Sequence, residues 1–479
     1  IKRAFVPTSF GPSLVVHGDT VLFAGGDDTM TALSADEGKK LWTEEHLYSG
    51  HFSPQDLFVV DGLAWSGETA THRGSGLFVG RNLRTGKAER KIECDTDVFF
   101  MHQRCYPGKA TERYFIPSWT GTEFIGLKDG HWDINHWVRG GCVYGNMPAN
   151  GLLYATPHSC ACYMVGKLYG FNALAPASQS RDRLLGTAEE NRLHRGTAYG
   201  KVEQTGDPGK EDWPTYRHDS ERSGSTGTAV PADLKVKWRV EPGGKISSPV
   251  IANGRIYVNR IDSHAVCALD EQTGRTEWTF TAGGRVDSPP TIWRGRAFFG
   301  CADGWVYCLR ASDGALVWKF RAAPRDYRLS AFDQLESPWP VHGSVLVQDG
   351  EIYCVAGRSA FLDGGMRFLR LDPETGRKIS ETKLDSKYPD TGKNLQSGIQ
   401  HHNIAVGLPD VLSSDGEHVY MRTQRFTMKG VREDIGPHSG DRVREAAPQA
   451  GEGVHLFSPI GFLDGSWWHR SYWVYGRRF

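Results

Sequence analysis

Short runs in which apolar and polar residues alternate, interrupted by glycine-containing turns, recur from one end of the chain to the other. The clearest is Ser248-Pro-Val-Ile-Ala-Asn-Gly-Arg-Ile-Tyr-Val258, two alternating runs about Asn253-Gly254, and this pattern predicts a β-hairpin. Comparable segments lie at 12–23, 56–65, 288–299, 344–353 and 411–420, with less regular ones at 105–115 and 147–154, which makes eight hairpins. No helical periodicity competes with them over most of the chain.

A second pattern follows several of the hairpins. Ala268-Leu-Asp-Glu-Gln-Thr-Gly-Arg-Thr-Glu-Trp278 reads as a strand end, a tight turn and a new strand leading to a tryptophan, and Cys308-Leu-Arg-Ala-Ser-Asp-Gly-Ala-Leu-Val-Trp318 repeats it 40 residues later. Ala32-Leu-Ser-Ala-Asp-Glu-Gly-Lys-Lys-Leu-Trp42 is a third copy, while 369–378 and 82–87 have kept the turn and lost the tryptophan. A hairpin, a strand, a glycine turn and a fourth strand make one four-stranded antiparallel blade. The expected fold is therefore all-β, an eight-bladed β-propeller, with seven blades as the alternative. Trp42, Trp278 and Trp318 are expected to dock each blade on the next. Residues 1–175 would supply four blades and 212–479 four more, closing one propeller. Between them, 176–211 reads as an exposed linker with a short helix around 184–193, and 426–453 as a long loop in the last blade.

Composition narrows the functional classes. Lys+Arg and Asp+Glu are 56 each, so no net field draws the chain toward nucleic acid. No apolar run is long enough for a transmembrane helix. The first ten residues lack a charged-then-apolar signal pattern and an initiator Met, as expected of a mature or trimmed chain. There is no Gly-x-Ser-x-Gly, P-loop, dinucleotide fingerprint or Cys-x-x-Cys-His, which argues against serine hydrolases, nucleotide enzymes and haem carriers.

The Ala-x-Asp-x-x-x-Gly-x-x-x-Trp pattern, best at Ala268 to Trp278, resembles the docking motif of pyrroloquinoline-quinone (PQQ) repeat propellers. Asp212-Trp-Pro-Thr-Tyr-Arg-His-Asp-Ser-Glu-Arg-Ser-Gly-Ser-Thr226 is similar to the segment that often begins such a propeller. The resemblance covers 212–384 best. The stretches 101–114, 150–176 and 455–479 are similar to those of large planctomycete-type quinone-repeat propellers of unsettled activity. The superfamily contains both quinoprotein alcohol dehydrogenases and cofactor-free assembly scaffolds. The resemblance implies a periplasmic or secreted protein, and for the dehydrogenases PQQ, calcium, a catalytic Asp and a vicinal Cys-Cys disulfide. No adjacent cysteines occur here; Cys160-Ala-Cys162 comes nearest.

Aligning the hairpins on their turns places a set of polar residues at one mouth of the channel. These are His51, His102 with Arg104, Asn146, Asp287, Trp339 with His342, and His401 with His402. As a functional group they would bind a small molecule or saccharide, with His102, Arg104 and His402 as catalytic candidates and His51, His102, His401 and His402 as ligands for a divalent metal. The plain alternative is ordinary hydrogen bonding between strand ends. Cys105, Cys142, Cys160 and Cys162 are expected in one or two disulfides or, with His158, in a soft-metal site. Cys267, Cys301, Cys308 and Cys354 fall at apolar strand positions and read as core. Rival functions are a PQQ-dependent dehydrogenase, a scaffold that binds proteins through blade edges, and a metal-assisted polysaccharide lyase.

Overall fold

The computed structural model describes residues 12–25, 28–47, 56–68, 70–71, 74–95, 106–119, 121–157, 168, 170–176, 188–331, 333–398, 407–422, 424–435, 455–457 and 474–476. The chain divides into two compact units, Ile1–Ala177 with Asn394–Ala405, and Ser178–Lys393 with Val406–Phe479.

In the first unit, blade A is β1 (Ser13–His17), β2 (Thr20–Ala24), β3 (Thr29–Ser34) and β4 (Lys40–Glu45), paired in chain order. Blade B uses β5 (Phe58–Val60), β6 (Leu63–Gly67), β9 (Phe78–Asn82) and β10 (Ala88–Ile92), with the small hairpin β7 (Ala70–Thr71) and β8 (Gly74–Ser75) inserted. Blade C is β11 (Lys109–Ala110), β12 (Tyr114–Ile116), β13 (Thr122–Gly126) and β14 (Trp132–Asn135), and blade D has three described strands, β15 (Asn146–Ala149), β16 (Leu152–Ala155) and β17 (Asn172–Leu174).

The second unit begins with β18 (Leu193–Arg195). Blade E is β19 (Val250–Ala252), β20 (Arg255–Arg260), β21 (Ala265–Asp270) and β22 (Thr276–Thr281). Blade F is β23 (Thr291–Trp293), β24 (Arg296–Gly300), β25 (Trp305–Arg310) and β26 (Leu316–Arg321), and β18 adds to its outer edge. The hairpin β27 (Leu329–Ala331) and β28 (Gln334–Glu336) precedes blade G, which is β29 (Leu346–Gln348), β30 (Glu351–Ala356), β31 (Met366–Leu371) and β32 (Lys378–Leu384). Blade H is β33 (Ser413–Ser414), β34 (His418–Met421), β35 (Gln424–Thr427) and β36 (Arg432–Ile435), and a further pair is β37 (His455–Phe457) with β38 (Val474–Gly476). The architecture is all-β and propeller-like.

The turn between third and fourth strands is specified locally. In blade E, Asp270 Oδ1 accepts from the Thr273 amide at 2.7 Å and its hydroxyl at 2.6 Å, while the Gly274 amide donates to the Asp270 carbonyl at 2.8 Å. Gly274 stands at φ 71°, the left-handed region that glycine enters at least cost. The register shifts beside this turn, between Ala268 and Leu269, and blades A, F and G carry such a bulge at the same place.

These turns are also where blades meet. Trp278 of blade E donates Nε1 to the Ala311 carbonyl of blade F at 3.1 Å, and a Cβ on Gly314 would stand 2.6 Å from its ring. Trp318 does the same to Pro373 (3.1 Å) over Gly376, and Trp42 to Leu83 (2.8 Å) over Gly86. Each acceptor is one residue past the start of the turn. Blade B has Arg90 where the tryptophan would be, and its Nη2 donates to the Leu127 carbonyl, the equivalent acceptor in blade C. The apolar core is layered between blades; Val266, Ala268, Trp278, Ala297, Phe299 and Tyr307 form one such layer. Cys267, Cys301, Cys308 and Cys354 are buried in it or its neighbours.

Three sequence expectations need correction. Residues 188–211 are not simply an exposed linker: Leu193–Arg195 pair with β26, Ala198 packs in the core, and Arg192 is buried against Glu381 at 2.7 Å. Where 184–193 is described, it is turn and strand, since Arg192 and Leu193 are held by blade F. The long loop does not start at Phe426, which lies in β35; a glycine turn one residue shorter than those of blades E, F and G, with Gly430 donating to the Thr427 carbonyl, leads into β36. The segment 212–226 lies against the blades. Trp213 exchanges two backbone hydrogen bonds with Ile251 of β19, Pro214 accepts from Ile292 of β23, and Ser220 from Ser414 of β33. It thus crosses the first strands of three blades, locked by Arg222, which is fully buried and donates to Leu412 and Thr215. Burial pushes that guanidinium down to about 10.

Candidate functional site at the strand mouth of the second unit

The residues that lead into the first strands of blades F and G converge. His342 Nδ1 lies 3.0 Å from Asp287 Oδ2, although 55 residues separate them. Both precede a Ser-containing step into an inner strand, Ser288 before β23 and Ser344 before β29, so matching positions in neighbouring blades meet. Arg285 extends the pair: its Nε is 3.3 Å from Asp287 Oδ1 and its Nη2 is 3.0 Å from Glu336 Oε1. Glu336 closes the β27–β28 hairpin, which brings it to the group. Ser344 Oγ donates to the Pro289 carbonyl and Thr291 Oγ1 to the Val345 carbonyl, fixing the two strand ends to each other.

The electrostatics follow from this arrangement. Burial alone would raise the Asp287 carboxyl, but the His342 hydrogen bond and the charges of His342, Arg285 and Lys245 reverse that and hold it below its ordinary value. For Glu336, burial prevails over Arg285 and the carboxyl is raised. The His342 and Asp287 side chains remain 18% and 25% exposed, enough for a ligand to reach them. The contact through Nδ1 leaves Nε2 as the ring nitrogen open to a ligand, with no hydrogen-bond partner among the described residues. Such a group can accept a hydrogen bond or proton from a hydroxyl while Asp287, Arg285 and Glu336 supply charged neighbours.

Other expected site residues are placed differently. Asn146 is 2% exposed and its Nδ2 donates to Thr122 Oγ1, so it ties blade D to blade C rather than facing a ligand. Trp339 is fully buried, with Nε1 donating to the Asp363 carbonyl at 3.0 Å, and its ring has no surface to offer. His51, His102, Arg104, Cys105, His158, Cys160, Cys162, His401 and His402 lie outside the described residues. Cys142 is exposed, and no two described cysteines are joined.

Sequence reasoning missed Arg285 and Glu336. A signal for Arg285 existed: Lys245 and Arg285 each stand two residues before the residue, Ser247 or Asp287, that precedes a Ser-Pro step into a first strand. Glu336 carried none, because its hairpin interrupts the repeat. The four mouth residues Arg285, Asp287, Glu336 and His342 do not fit a PQQ–calcium centre. Among the described residues no group of three or more His, Cys, Asp or Glu could hold a metal ion, and the Asp287 carboxylate is taken by His342 and Arg285. Among them also, no helix is long and apolar enough to cross a membrane.

Parts of the chain are similar to known proteins. The family described as "Outer membrane protein assembly factor BamB" matches residues 224–359. The dehydrogenase subunit of the quinone alcohol dehydrogenase of Gluconobacter oxydans is 28% identical over 202 residues, covering 38% of this chain and 26% of that protein. The quinoprotein ethanol dehydrogenase of Pseudomonas aeruginosa is 29% identical over 147 residues, covering 28% of this chain and 22% of that protein. The chain thus spans about a quarter of the length of the curated relatives it matches. Among solved structures, BamB from Moraxella catarrhalis aligns over 88% of this chain and 70% of its own, at 12% identity and a TM-score of 0.25. Over these parts of its length the chain is similar to PQQ-repeat and quinoprotein alcohol dehydrogenase β-propellers.

Proposed function

We propose that the second unit binds a small polyhydroxylated ligand, a saccharide, at the mouth formed by Arg285, Asp287, Glu336 and His342, in an exported protein. The observation that carries this reading is the Asp287–His342 pair at 3.0 Å, partly exposed and braced by Arg285. Vicinal hydroxyls pair well with such a set, because each can donate to a carboxylate or imidazole and accept from a guanidinium. The test is a saccharide panel screened against the purified chain, followed by calorimetry on the hits. Arg285→Met and His342→Ala should each weaken binding tenfold or more; binding that survives both substitutions refutes the site.

A second reading, a quinone-dependent dehydrogenase, is favoured by the likeness to the Gluconobacter oxydans subunit. Protein incubated with PQQ and Ca²⁺ would then acquire a quinone absorption band and reduce a dye with alcohols. Absence of both removes this reading.

A further inference from the structure

The segment that crosses the first strands of blades E, F and H makes a tight turn close to the mouth. Tyr216 and Arg217 are its central pair, and the His218 amide closes it by donating to the Thr215 carbonyl at 3.0 Å. Arg217, His218 and Arg222 stand at φ 56°, 81° and 59°, in the left-handed region that only glycine enters cheaply. Such conformations persist where the surroundings fix them. Here a relay of hydrogen bonds does so: Arg222 Nη1 donates to Thr215 Oγ1 at 2.8 Å, Thr215 Oγ1 meets Thr291 Oγ1 of blade F at 2.8 Å, and Thr291 Oγ1 donates to the Val345 carbonyl of blade G at 2.6 Å. Arg222 Nε donates to the Leu412 carbonyl of blade H at 2.9 Å. The turn is thereby pinned to three blades.

These pins set its height. Val345 follows His342 by at most about 11 Å of chain. Asp410, whose carbonyl would stand 3.2 Å from a Cβ on Gly343, the neighbour of His342, acts on the Tyr216 hydroxyl. Tyr216 is half-buried, and that hydroxyl has no hydrogen-bond partner among the described residues. Burial pushes it up against the opposing charges of Arg217 and Arg222, so it stays a neutral phenol that can donate and accept. The mouth residues Arg285, Asp287, Glu336 and His342 are all polar, whereas a sugar ring also presents an apolar face of C–H groups, which suits an aromatic surface. We propose that Tyr216 is that surface, a ligand-contacting residue on which a pyranose ring packs while its hydroxyls reach Asp287 and His342. This role rests on the mouth being the binding site, and it narrows the ligand to cyclic sugars over acyclic polyols.

Calorimetry on the whole chain, with methyl glucopyranoside, methyl mannopyranoside and the acyclic polyol sorbitol as probes, tests this in the native protein, Tyr216→Ala and Tyr216→Phe. The native chain should prefer a pyranoside to sorbitol about tenfold. Tyr216→Ala should lose that preference, with sorbitol binding kept within about twofold, while Tyr216→Phe should keep it and weaken pyranoside binding about threefold through the missing hydroxyl. A chain carrying 3-fluorotyrosine gives a readout that needs no truncation: the ¹⁹F signal of Tyr216, assigned by its loss in Tyr216→Phe, should shift with pyranoside and stay in place with sorbitol. Unchanged pyranoside binding in Tyr216→Ala, equal weakening of pyranoside and sorbitol there, or a ¹⁹F signal that does not move at saturating pyranoside would each overturn the role of Tyr216 and leave the mouth standing. If none of the three probes binds the native chain, the mouth falls and Tyr216 with it.

Discussion

Gly314→Ala tests the blade junction directly. Two separable penalties meet at this residue. The φ of 71° costs an L side chain about 1–2 kcal/mol by itself. A Cβ would also stand 2.6 Å from the Trp278 ring, which is packed on both sides and donates to Ala311, so blade E must move relative to blade F at a further cost of about 1–3 kcal/mol. Gly254→Ala is the matched control: its φ is 72°, but nothing lies within 4 Å of the added methyl. The control should lose about 1–2 kcal/mol and Gly314→Ala about 2–5 kcal/mol. Urea titrations followed by tryptophan fluorescence would measure both, and near-UV circular dichroism would report the displaced indole. Equal losses would show that the glycine serves only its turn and that the Trp278 contact does not hold the blades together.

Arg90→Ala should destabilise the first unit by about 1.5–3 kcal/mol through loss of a charge-assisted hydrogen bond to Leu127, measured by urea midpoint, and Arg90→Trp should recover part of it. Fully buried His136 is pushed down to about 3, first by burial and then by Arg139, so its neutral form is the folded one. Its contribution is complete above the unfolded value near 6.5 and falls by up to about 1.4 kcal/mol per unit as pH drops toward 3; His136→Gln should flatten that slope in pH-dependent melting, and an unchanged slope would count against it. Asp287 is depressed, so its contribution is present above about 3.9 and lost as pH falls through its lower folded value. Asp287→Asn should therefore be less stable than the native chain at pH 7, with the gap closing below about pH 4.

The parts of the fold that could be read from the sequence are those whose forces act within a dozen residues. Asn253-Gly254 makes its hairpin unaided, and Asp270, Thr273 and Gly274 close their turn with each other. Asp287 and His342 were legible as mouth residues because both sit at the same step before an inner strand, but that they pair could not be read, since the pairing depends on how F and G stack. The edge strand at Leu193–Arg195 is three residues long and shows no alternation to find. Eight hairpins could be counted, yet the β37–β38 pair and the docking of Trp238 escaped, the first because its strands stand far apart in sequence, the second because its acceptor Glu271 lies 33 residues on in blade E.

Arg90 shows why such a repeat fades in sequence faster than in shape. The acceptor at every junction is a main-chain carbonyl, present whatever side chain occupies that position, as Leu83, Glu271, Ala311, Pro373 and Leu127 demonstrate. Inheritance of the joint therefore demands one donor of sufficient reach and leaves the receiving residue at liberty to drift. A lineage built this way can exchange indole for guanidinium and keep the coupling between neighbouring blades, while a search for tryptophans alone misses the junction that Arg90 makes.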